Sequence, residues 1–506
     1  MRHAPRVGPA RSRGTVSLER LPAQEVDPGR GRRRRSTRLS FIAVFAGILV
    51  MQIGWILVTQ PFHGADEHES AFKASAVAHG FFALDPKPSP SGRSYYVRAD
   101  AALVSAARPM CRWIEVEPAN CERVIPAGNQ MVWVTSGAAR YDPAYYGLVG
   151  LASLPFHGLA QLYSMRIFTA LICALLISCA ASLTLRYSAT RWPFIGLVVA
   201  ATPEVIFSGS IVGANGVEMA SAILLWVALL TAFRTTDRAQ LRKLAWIAAC
   251  GTVPLAVVRS FGPVWVLTIA LAALVASGDG RSRIHRARAS IRTAPWQLAI
   301  SMLALALGTA WSLFARTNAP TQVGHGHFGS PLPHIPHLII EWGRGVAGEF
   351  PQQQRMSPPF YAIELGMGAA FIGAALRYAS RAYREAIIVV VLIALAVGVS
   401  TTLATYDLMG PAWQGKYLLP LMTGLPLLAG AALEETRPPI RDGRFLVACC
   451  ICAAAAEGLA QLQVLAQWRG KPYSLPFTPW DAVIMVLVMG GCAAWWAAGA
   501  LSATTP

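Results

Sequence analysis

Residues 39–80 read LSFIAVFAGILVMQIGWILVTQPFHGADEHESAFKASAVAHG. The first twenty of these residues are apolar or small and carry no charge, which predicts a helix that crosses a membrane. Asp66, Glu67, His68 and Glu69 follow within a few residues of its end. Ionisable groups near lipid cost free energy unless they are solvated or used, so this cluster marks either a solvated boundary or a functional site.

The same apolar pattern recurs along most of the chain. Of the 506 residues, 54% are hydrophobic and only 14% are charged, whereas soluble domains carry roughly 25% charged residues. These values exclude a soluble domain and predict an all-α polytopic membrane protein with about twelve transmembrane helices. The predicted spans are 39–59, 165–185, 193–211, 217–233, 244–258, 262–277, 296–315, 360–376, 386–404, 417–433, 444–464 and 480–500.

The net charge of +18 lies largely near the N-terminus, which includes GRGRRRRSTR at 29–38. Residues 1–38 are rich in Pro, Gly and Arg and lack apolar periodicity, so they are predicted to be a disordered tail. A basic flank directly before a span holds the N-terminus in the cytoplasm. Nucleic-acid binding is the other use of an arginine run, and the topological use is favoured here. The 39–58 run is too long for the apolar core of a cleavable signal peptide.

Basic connectors set the orientation of the remaining chain, residues 39–506. They all fall on the cytoplasmic side only if the apolar segment 141–163 does not cross the membrane. Its tyrosines and prolines favour an interfacial helix on the outer surface. Both termini are then cytoplasmic, and two long segments, 60–164 and 316–359, are external. The basic connectors are RYSATR (186–191), RTTDRAQLRK (234–243), RSRIHRARASIR (281–292), RYASRAYR (377–384) and RPPIRDGR (437–444).

Seven of the nine cysteines lie inside apolar runs, where a thiol acts as a small hydrophobic group. Cys111 and Cys121 instead lie in the long polar segment after the first span. If that segment faces an oxidising compartment, the two form a disulfide, and in a reducing compartment they stay as thiols.

Transfer of a glycosyl group from a lipid phosphate needs a carboxylate base near the acceptor and cations near the departing phosphate. GADEHESAF (64–72) resembles the acidic motif in the first external loop of GT-C glycosyltransferases. YDPAYYGLVGLASLPF (141–156) is similar to their juxtamembrane helix. The segments PEVIFSGSIVGANGVEMASAILLW (203–226) and WQGKYLLPLMTGLPLL (413–428) resemble an uncharacterised bacterial membrane-protein family grouped with these enzymes.

This resemblance implies a polytopic transferase in the bacterial plasma membrane, acting at the external face. It implies a polyprenyl-phosphate-linked sugar as donor and an envelope glycan or lipid as acceptor. By position in the motifs, Asp66 is the catalytic carboxylate that acts as the base and Glu67 is the neighbouring acidic residue, while His68 departs from the usual histidine spacing. Tyr145 lies in the juxtamembrane motif. Lys416 stands where the family has arginine, and it meets a phosphate as a point charge.

Five further residues are predicted on the external side, each with an alternative role. Arg259 either contacts the donor phosphate or extends to lipid head groups. Asn215 and Glu218 start a helix beside the same cavity, where Glu218 is also favoured by the helix dipole. Arg344 lies in the second external segment, which is expected to cover the site. Gln414 lies next to aromatic residues that either bind sugar rings or anchor the boundary.

No cofactor other than the donor lipid is predicted, and the need for a divalent metal stays open. His325 and His327 have no nearby acid or cysteine in sequence, so no metal site is assigned. The competing interpretation is a transporter or lipid flippase, although the predicted helix interiors carry few charges and no repeat of two halves is evident. The third interpretation is a non-catalytic scaffold that kept the fold and lost the activity.

Overall fold

The computed structural model describes residues 28–82, 85–89, 94–112, 121, 125, 128, 130–317, 327–350, 354–468 and 478–502, with side chains for the described residues from 38 to 501. Residues 1–27 of the predicted tail lie outside this part. The first helix begins at Pro28, earlier than the predicted span. Arginine is a good helix former, so the helix of the first span continues toward the N-terminus through the arginine run.

The elements of the described residues are mostly helical. The helices are α1 Pro28–Val58, α2 Glu67–Ala78, α3 Ala101–Ala107, α4 Pro143–Ser153, α5 Gly158–Tyr187, α6 Trp192–Ala200, α7 Pro203–Ser208, α8 Ala214–Ala232, α9 Arg238–Val258, α10 Gly262–Ala276, α11 Gly280–Thr293, α12 Pro295–Phe314, α13 Ile335–Ala347, α14 Pro358–Tyr378, α15 Arg381–Met409, α16 Leu419–Met422, α17 Gly424–Thr436, α18 Asp442–Trp468 and α19 Pro479–Ser502. The strands are β1 Tyr95–Asp100 and β2 Met131–Ser136.

The all-α polytopic membrane fold is confirmed. Within the described residues, ten helical segments are long and apolar enough to cross a membrane: α1, α5, α8, α9, α12, α14, α15, α18, α19 and Gly415–Thr436, which contains α16 and α17. Ten of the twelve predicted spans therefore correspond to helices of sufficient length, and the remaining two differ for local reasons.

The predicted span 193–211 is broken into α6 and α7. Pro203 is the first residue of α7, and the Thr202 side chain caps it by accepting from Val205 N at 3.4 Å. Proline has no N–H to donate inside a helix and clashes with the preceding turn, so the helix stops and restarts there. The predicted span 262–277 is the apolar helix α10, whose 15 residues extend about 22 Å. That length is less than the thickness of a hydrocarbon core.

The segment between α1 and α5 folds against the end of the bundle. Its strands β1 and β2 pair antiparallel, with Val97 opposite Val134, which adds a small sheet that the sequence analysis did not predict. Cys111 and Cys121 form a disulfide. The apolar segment 141–163 is divided: α4 has 11 residues, too few to cross a membrane, and residues 158–163 already belong to α5. Leu148 and Leu151 of α4 are exposed, as the interfacial prediction expects.

The five basic connectors meet at one end of the bundle. Arg191 pairs with Asp442 at 3.5 Å, and Arg283 pairs with Glu385 at 2.8 Å. Arg286, in the same connector as Arg283, donates to the carbonyl oxygen of Phe233, which joins this connector to the start of 234–243. The first and last spans also begin and end here, where Ser40 Oγ donates to the Ala498 carbonyl. The arrangement agrees with one shared side for the connectors and for the described ends of the chain.

The core lies around α8 and Gly415–Thr436, in each of which 83% of the most apolar stretch is buried. Trp226 Nε1 donates to the Pro420 carbonyl oxygen at 3.2 Å and joins the two. The terminal spans α1 and α19 pack closely, since a Cβ at Gly491 would lie 2.8 Å from the Gly47 carbonyl oxygen. Glycine at both positions allows the two backbones to approach.

Candidate active site at the end of the bundle opposite the basic connectors

Asp66 lies directly before α2, with φ 53° and ψ 23°. This left-handed conformation is uncommon for a residue other than glycine, and such residues concentrate at functional sites. The Asp66 side chain is exposed and makes no capping hydrogen bond to α2. The carboxylate is therefore held outside the helix and is accessible to a substrate.

Arg259 follows α9 and lies between two tyrosine rings. Its guanidinium carbon is 4.8 Å from the Tyr417 ring centroid and 5.6 Å from that of Tyr141. Its Nε is 3.9 Å from Glu218 Oε2. Cation–π contacts hold the guanidinium plane, while the single distant carboxylate leaves most of its five donors available to an anion.

Asp66 and Arg259 both influence the pKa of the Tyr141 phenol. Burial raises the pKa of Tyr141 to about 12, and Arg259 opposes this increase while Asp66 and Glu69 add to it. Tyr417 likewise lies within electrostatic range of Asp66, Arg259 and Glu218. Residues from five separated parts of the chain thus form one cluster, which combines an accessible carboxylate with a cation held between aromatic rings.

Lys416 lies beside this cluster in the turn Gly415–Leu418, which precedes α16. Its Nζ is 5.7 Å from the Tyr417 ring centroid, so Arg259 and Lys416 both contact that ring. Lys416 is largely buried. It also lowers the pKa of Glu349, which burial raises above the ordinary value. The two cations expected near a phosphate are therefore close together.

Glu67 has a structural position instead of the expected catalytic one. Its carboxylate accepts from Arg166 Nε at 2.7 Å and from Arg166 Nη2 at 2.6 Å. The backbone N–H groups of Val212 and Gly64 donate to the same carboxylate at 3.1 and 3.3 Å. Both charged side chains are fully buried. With its oxygens occupied and no access to solvent, Glu67 does not reach an acceptor hydroxyl.

His68 and Tyr145 also face the protein interior. Burial lowers the pKa of His68 to about 4, so its ring is neutral at pH 7 and does not supply a cation to a phosphate. The Tyr145 hydroxyl bonds Thr169 Oγ1 at 2.9 Å and accepts from Gly213 N at 2.9 Å. Tyr145 thereby joins α4 to α5 and to the turn before α8, and its hydroxyl is already engaged in two hydrogen bonds within the protein.

The first turns of α8 place Asn215 and Glu218 at the same end of the bundle as Arg259. Glu218 is buried and is the carboxylate partner of Arg259, which differs from a direct sugar contact. Asn215 Oδ1 has no hydrogen-bond partner within the described ranges. It is therefore a buried acceptor whose hydrogen-bonding capacity is unused.

A cleft of about 360 Å³ lies next to the cluster and is lined in part by Trp413 and Gln414. The Trp413 ring, which lines the cleft, is 5.5 Å from that of Tyr417, so the cleft borders the Arg259 cluster. Gln414 Oε1 lacks a partner among the residues that the structure describes. Arg344 Nη1 instead donates to Glu341 Oε1 at 2.6 Å on the same helix, α13. Arg344 therefore already has an anionic partner.

The described residues contain no group of three or more His, Cys, Asp or Glu that could hold a metal ion. His327 Nδ1 lies 2.6 Å from Asp407 Oδ2, and His325 is outside the described residues.

Three residues of the cluster were not predicted as site residues. Tyr141 was interpreted only as a boundary anchor, and Tyr417 follows Lys416 in a predicted span. Glu69 stands in the acidic motif, and the Ser136 hydroxyl donates to its carbonyl oxygen at 2.8 Å. Both tyrosines could have been recognised in the sequence because each lies next to a charged residue of a motif, Tyr141 beside Asp142 and Tyr417 beside Lys416.

Comparison with solved structures gives distant similarity only. A crystal structure of ArnT from Cupriavidus metallidurans in the apo state has a TM-score of 0.39 and 13% sequence identity, covering 85% of this chain and 75% of that one. A crystal structure of the same protein bound to undecaprenyl phosphate has a TM-score of 0.38 and 14% identity, covering 86% of this chain and 76% of that one. No curated protein matches the sequence significantly.

A family model described as "Predicted membrane protein (DUF2142)" matches residues 49–425. The match runs from within α1 to the start of α17 and includes all of the cluster around Asp66 and Arg259. It covers well over half of the chain. The chain therefore belongs to the DUF2142 family of membrane proteins.

Proposed function

We propose that this protein is a glycosyltransferase that moves a sugar from a polyprenyl-phosphate donor to an envelope glycan or lipid acceptor. The observation that carries the proposal is that the Arg259 guanidinium lies over the rings of Tyr141 and Tyr417, with the exposed carboxylate of Asp66 within electrostatic range of both tyrosines. An exposed carboxylate next to cations on aromatic rings matches what the transfer needs at its two ends. The motif resemblance to GT-C enzymes supports the same reaction.

In the proposed reaction, the acceptor hydroxyl oxygen forms a bond to the anomeric carbon of the donor sugar. The bond between that carbon and the phosphate oxygen breaks, and its electron pair leaves with the polyprenyl phosphate. Asp66 takes the proton of the acceptor hydroxyl. Arg259 and Lys416 stabilise the negative charge that grows on the phosphate.

Arg259 and Lys416 stabilise the phosphate in different ways. The planar guanidinium of Arg259 offers two parallel N–H donors to phosphate oxygens, and the rings of Tyr141 and Tyr417 fix its plane. Lys416 adds a second positive charge, with its Nζ 5.7 Å from the Tyr417 ring centroid. Glu218 offsets part of the Arg259 charge when no donor is bound.

The proposed site faces the external side of a bacterial plasma membrane, with both chain termini in the cytoplasm. The basic connectors gather at the opposite end of the bundle, and such connectors stay in the cytoplasm as a rule. A donor carried by a lipid reaches this depth along the membrane, while the acceptor approaches from the solvent side.

A transporter or lipid flippase is the second candidate, and two buried carboxyl groups favour it. Glu364 of α14 and Glu457 of α18 line one small cavity between membrane helices. Glu364 Oε2 has no hydrogen-bond partner among the described residues. Ionisable groups at such depth often mark ion or proton pathways. Uptake of an envelope precursor by sealed vesicles, without any glycosidic product, would favour this candidate.

The test is lipid and glycan profiling of cells that lack the protein. We expect a polyprenyl-phosphate sugar to accumulate and one glycan product to disappear. Wild-type protein and Asp85→Asn should restore the product, because Asp85 is an exposed loop residue away from the cluster. Asp66→Asn should not, although it reaches the membrane at the same level. Restoration by Asp66→Asn would exclude the assigned base.

A further inference from the structure

A cleft of about 1050 Å³ opens at the end of the bundle where the basic connectors meet. One wall is the connection from α8 into α9, and the other is α11. The first wall contributes Arg234, Arg238 and Arg242. Helix α11 contributes Arg281, Arg286, Arg288 and Arg292. No aspartate or glutamate of the described residues lines the cleft.

The positive charge in the cleft is not neutralised by the contacts of its arginines. Arg234 Nη2 donates to the Ala431 carbonyl oxygen at 3.2 Å, and Arg286 donates to that of Phe233. These partners are dipoles and carry no net charge. Asp237 and Asp279, the acidic residues beside the cleft in sequence, cap α9 and α11 and do not line the cleft. Clustered guanidinium groups in a cleft of one sign attract and bind anions.

The cleft lies one membrane thickness from the proposed active site. Helix α8 begins beside Arg259 and ends at Ala232, which lines the cleft. Its 19 residues extend about 28 Å, close to the thickness of a hydrocarbon core. The arginines therefore lie at the level of the lipid head groups on the opposite face, far from the site that the proposed reaction uses.

Helix α11 has the character of a helix that rests on a membrane surface. None of its residues is buried. Its two isoleucines, Ile284 and Ile291, are 56% and 53% exposed and lie two turns apart on one side. Trp296, just beyond it, is 76% exposed. Arg281 and Arg288 lie within about one turn of Ile284 and flank the isoleucines. Exposed apolar residues among arginines, with a boundary tryptophan, are typical of interfacial helices.

We propose that this cleft binds the phosphate head group of an anionic phospholipid from the same leaflet. The guanidinium groups supply the charge-assisted hydrogen bonds, while Ile284 and Ile291 contact the acyl chains. The volume of about 1050 Å³ exceeds what one inorganic phosphate fills and accommodates a whole head group. Basic pockets at this depth bind the head groups of anionic lipids in general.

The test compares purified protein in a neutral detergent, titrated with short-chain phosphatidylglycerol or short-chain phosphatidylcholine and observed by native mass spectrometry. Wild-type protein should retain phosphatidylglycerol preferentially. The cleft variant Arg242→Gln/Arg288→Gln/Arg292→Gln should bind it roughly 100-fold more weakly, from about 1 kcal/mol for each basic residue near a lipid surface. These three side chains are exposed, so their replacement should leave the fold intact.

The control variant Arg384→Gln/Arg437→Gln/Arg441→Gln removes the same charge from exposed positions at the same end of the bundle, outside the cleft. Unchanged phosphatidylglycerol binding in this variant supports a specific site. Equal loss in both variants, equal retention of the two lipids, displacement by millimolar inorganic phosphate, or tighter binding of a single-stranded oligonucleotide would each overturn the proposal. Loss of glycosyl transfer has no bearing on these readouts.

Discussion

Glu67 and Arg166 form a fully buried ion pair in which Arg166 donates through both Nε and Nη2, across 99 residues of sequence. Arg166 also donates to the carbonyl oxygens of Thr59 and Gln60, at 2.8 Å each. The pair therefore joins α2, α5 and the end of α1 at one point. Asp66 directly precedes Glu67 in sequence. Because Glu67 is held in place by Arg166, the backbone that carries the exposed Asp66 side chain is fixed on one side.

Breaking this ion pair should destabilise the protein. Arg166→Met leaves the Glu67 carboxylate buried without its cationic partner, and such changes cost about 3–5 kcal/mol. We expect a large decrease in the thermal unfolding temperature in detergent. Glu67→Gln combined with Arg166→Met should recover part of the loss, because no isolated charge remains. A Glu67→Gln protein with wild-type stability and no transferase activity would contradict the structural role and indicate catalysis.

The close packing of α1 on α19 predicts different effects for two adjacent glycines. A Cβ at Gly491 would lie 2.5 Å from Met51 Cγ and 2.8 Å from the Gly47 carbonyl oxygen, whereas one at Gly490 meets nothing within 4 Å. Gly491→Ala should therefore lower the unfolding temperature. Gly490→Ala should leave it unchanged or raise it, since alanine favours a helix by up to about 1 kcal/mol. Equal effects would show that the two helices do not approach this closely.

The aromatic contacts of Arg259 predict that lysine does not replace it. Arg259→Lys keeps the charge and loses the planar fork that stacks on Tyr141 and Tyr417. We expect donor binding to weaken roughly tenfold with lysine, about the value of one charge-assisted hydrogen bond, and more with alanine. Binding of the polyprenyl-phosphate sugar by the purified variants is the measurement. Full affinity in Arg259→Lys would show that only the charge matters.

The neutral state of His68 predicts a loss of stability in acid. Its pKa is about 4 in the folded protein and 6.5 ordinarily. Between these values the unfolded chain binds a proton that the folded chain does not, so stability falls as the pH decreases from 6.5 to 4. Unfolding temperatures over this range should decrease less in His68→Gln than in the wild type. Some dependence should remain, because burial also lowers the pKa of His63. Identical slopes would contradict the burial of a neutral ring.

The grouping of the basic connectors at one end of the bundle was predictable from charge. Arginines in the five connectors indicated one shared side, and contacts such as Arg191 to Asp442 join connectors that are far apart in sequence. The prediction that 141–163 does not cross the membrane used the same argument, because a crossing there would have split the connectors between two sides, and α4 is too short to span a membrane. Asp66, Arg259 and Lys416 followed from motif position and from the outer ends of the predicted spans.

The remaining features depend on contacts that sequence does not contain. Arg166 lies within an apolar run, and nothing near it indicates that its partner is Glu67. The break within 193–211 is an exception, because Pro203 is itself a signal in the sequence for a helix that stops and restarts. Tyr417 belongs to the cluster because the turn at Gly415–Leu418 directs it toward Arg259. An apolar or aromatic residue in a span has many possible neighbours, and tertiary packing selects among them.

The most direct test of the central claim is transfer by purified protein, with the polyprenyl-phosphate sugar that accumulates in cells lacking it as donor. If Asp66 is the base and Arg259 binds the phosphate, Asp66→Asn should lower turnover by about 10²-fold or more, the usual contribution of a general base, while donor affinity stays unchanged. Arg259→Ala should weaken donor affinity. Wild-type turnover in Asp66→Asn, with a correctly folded protein, would contradict the account.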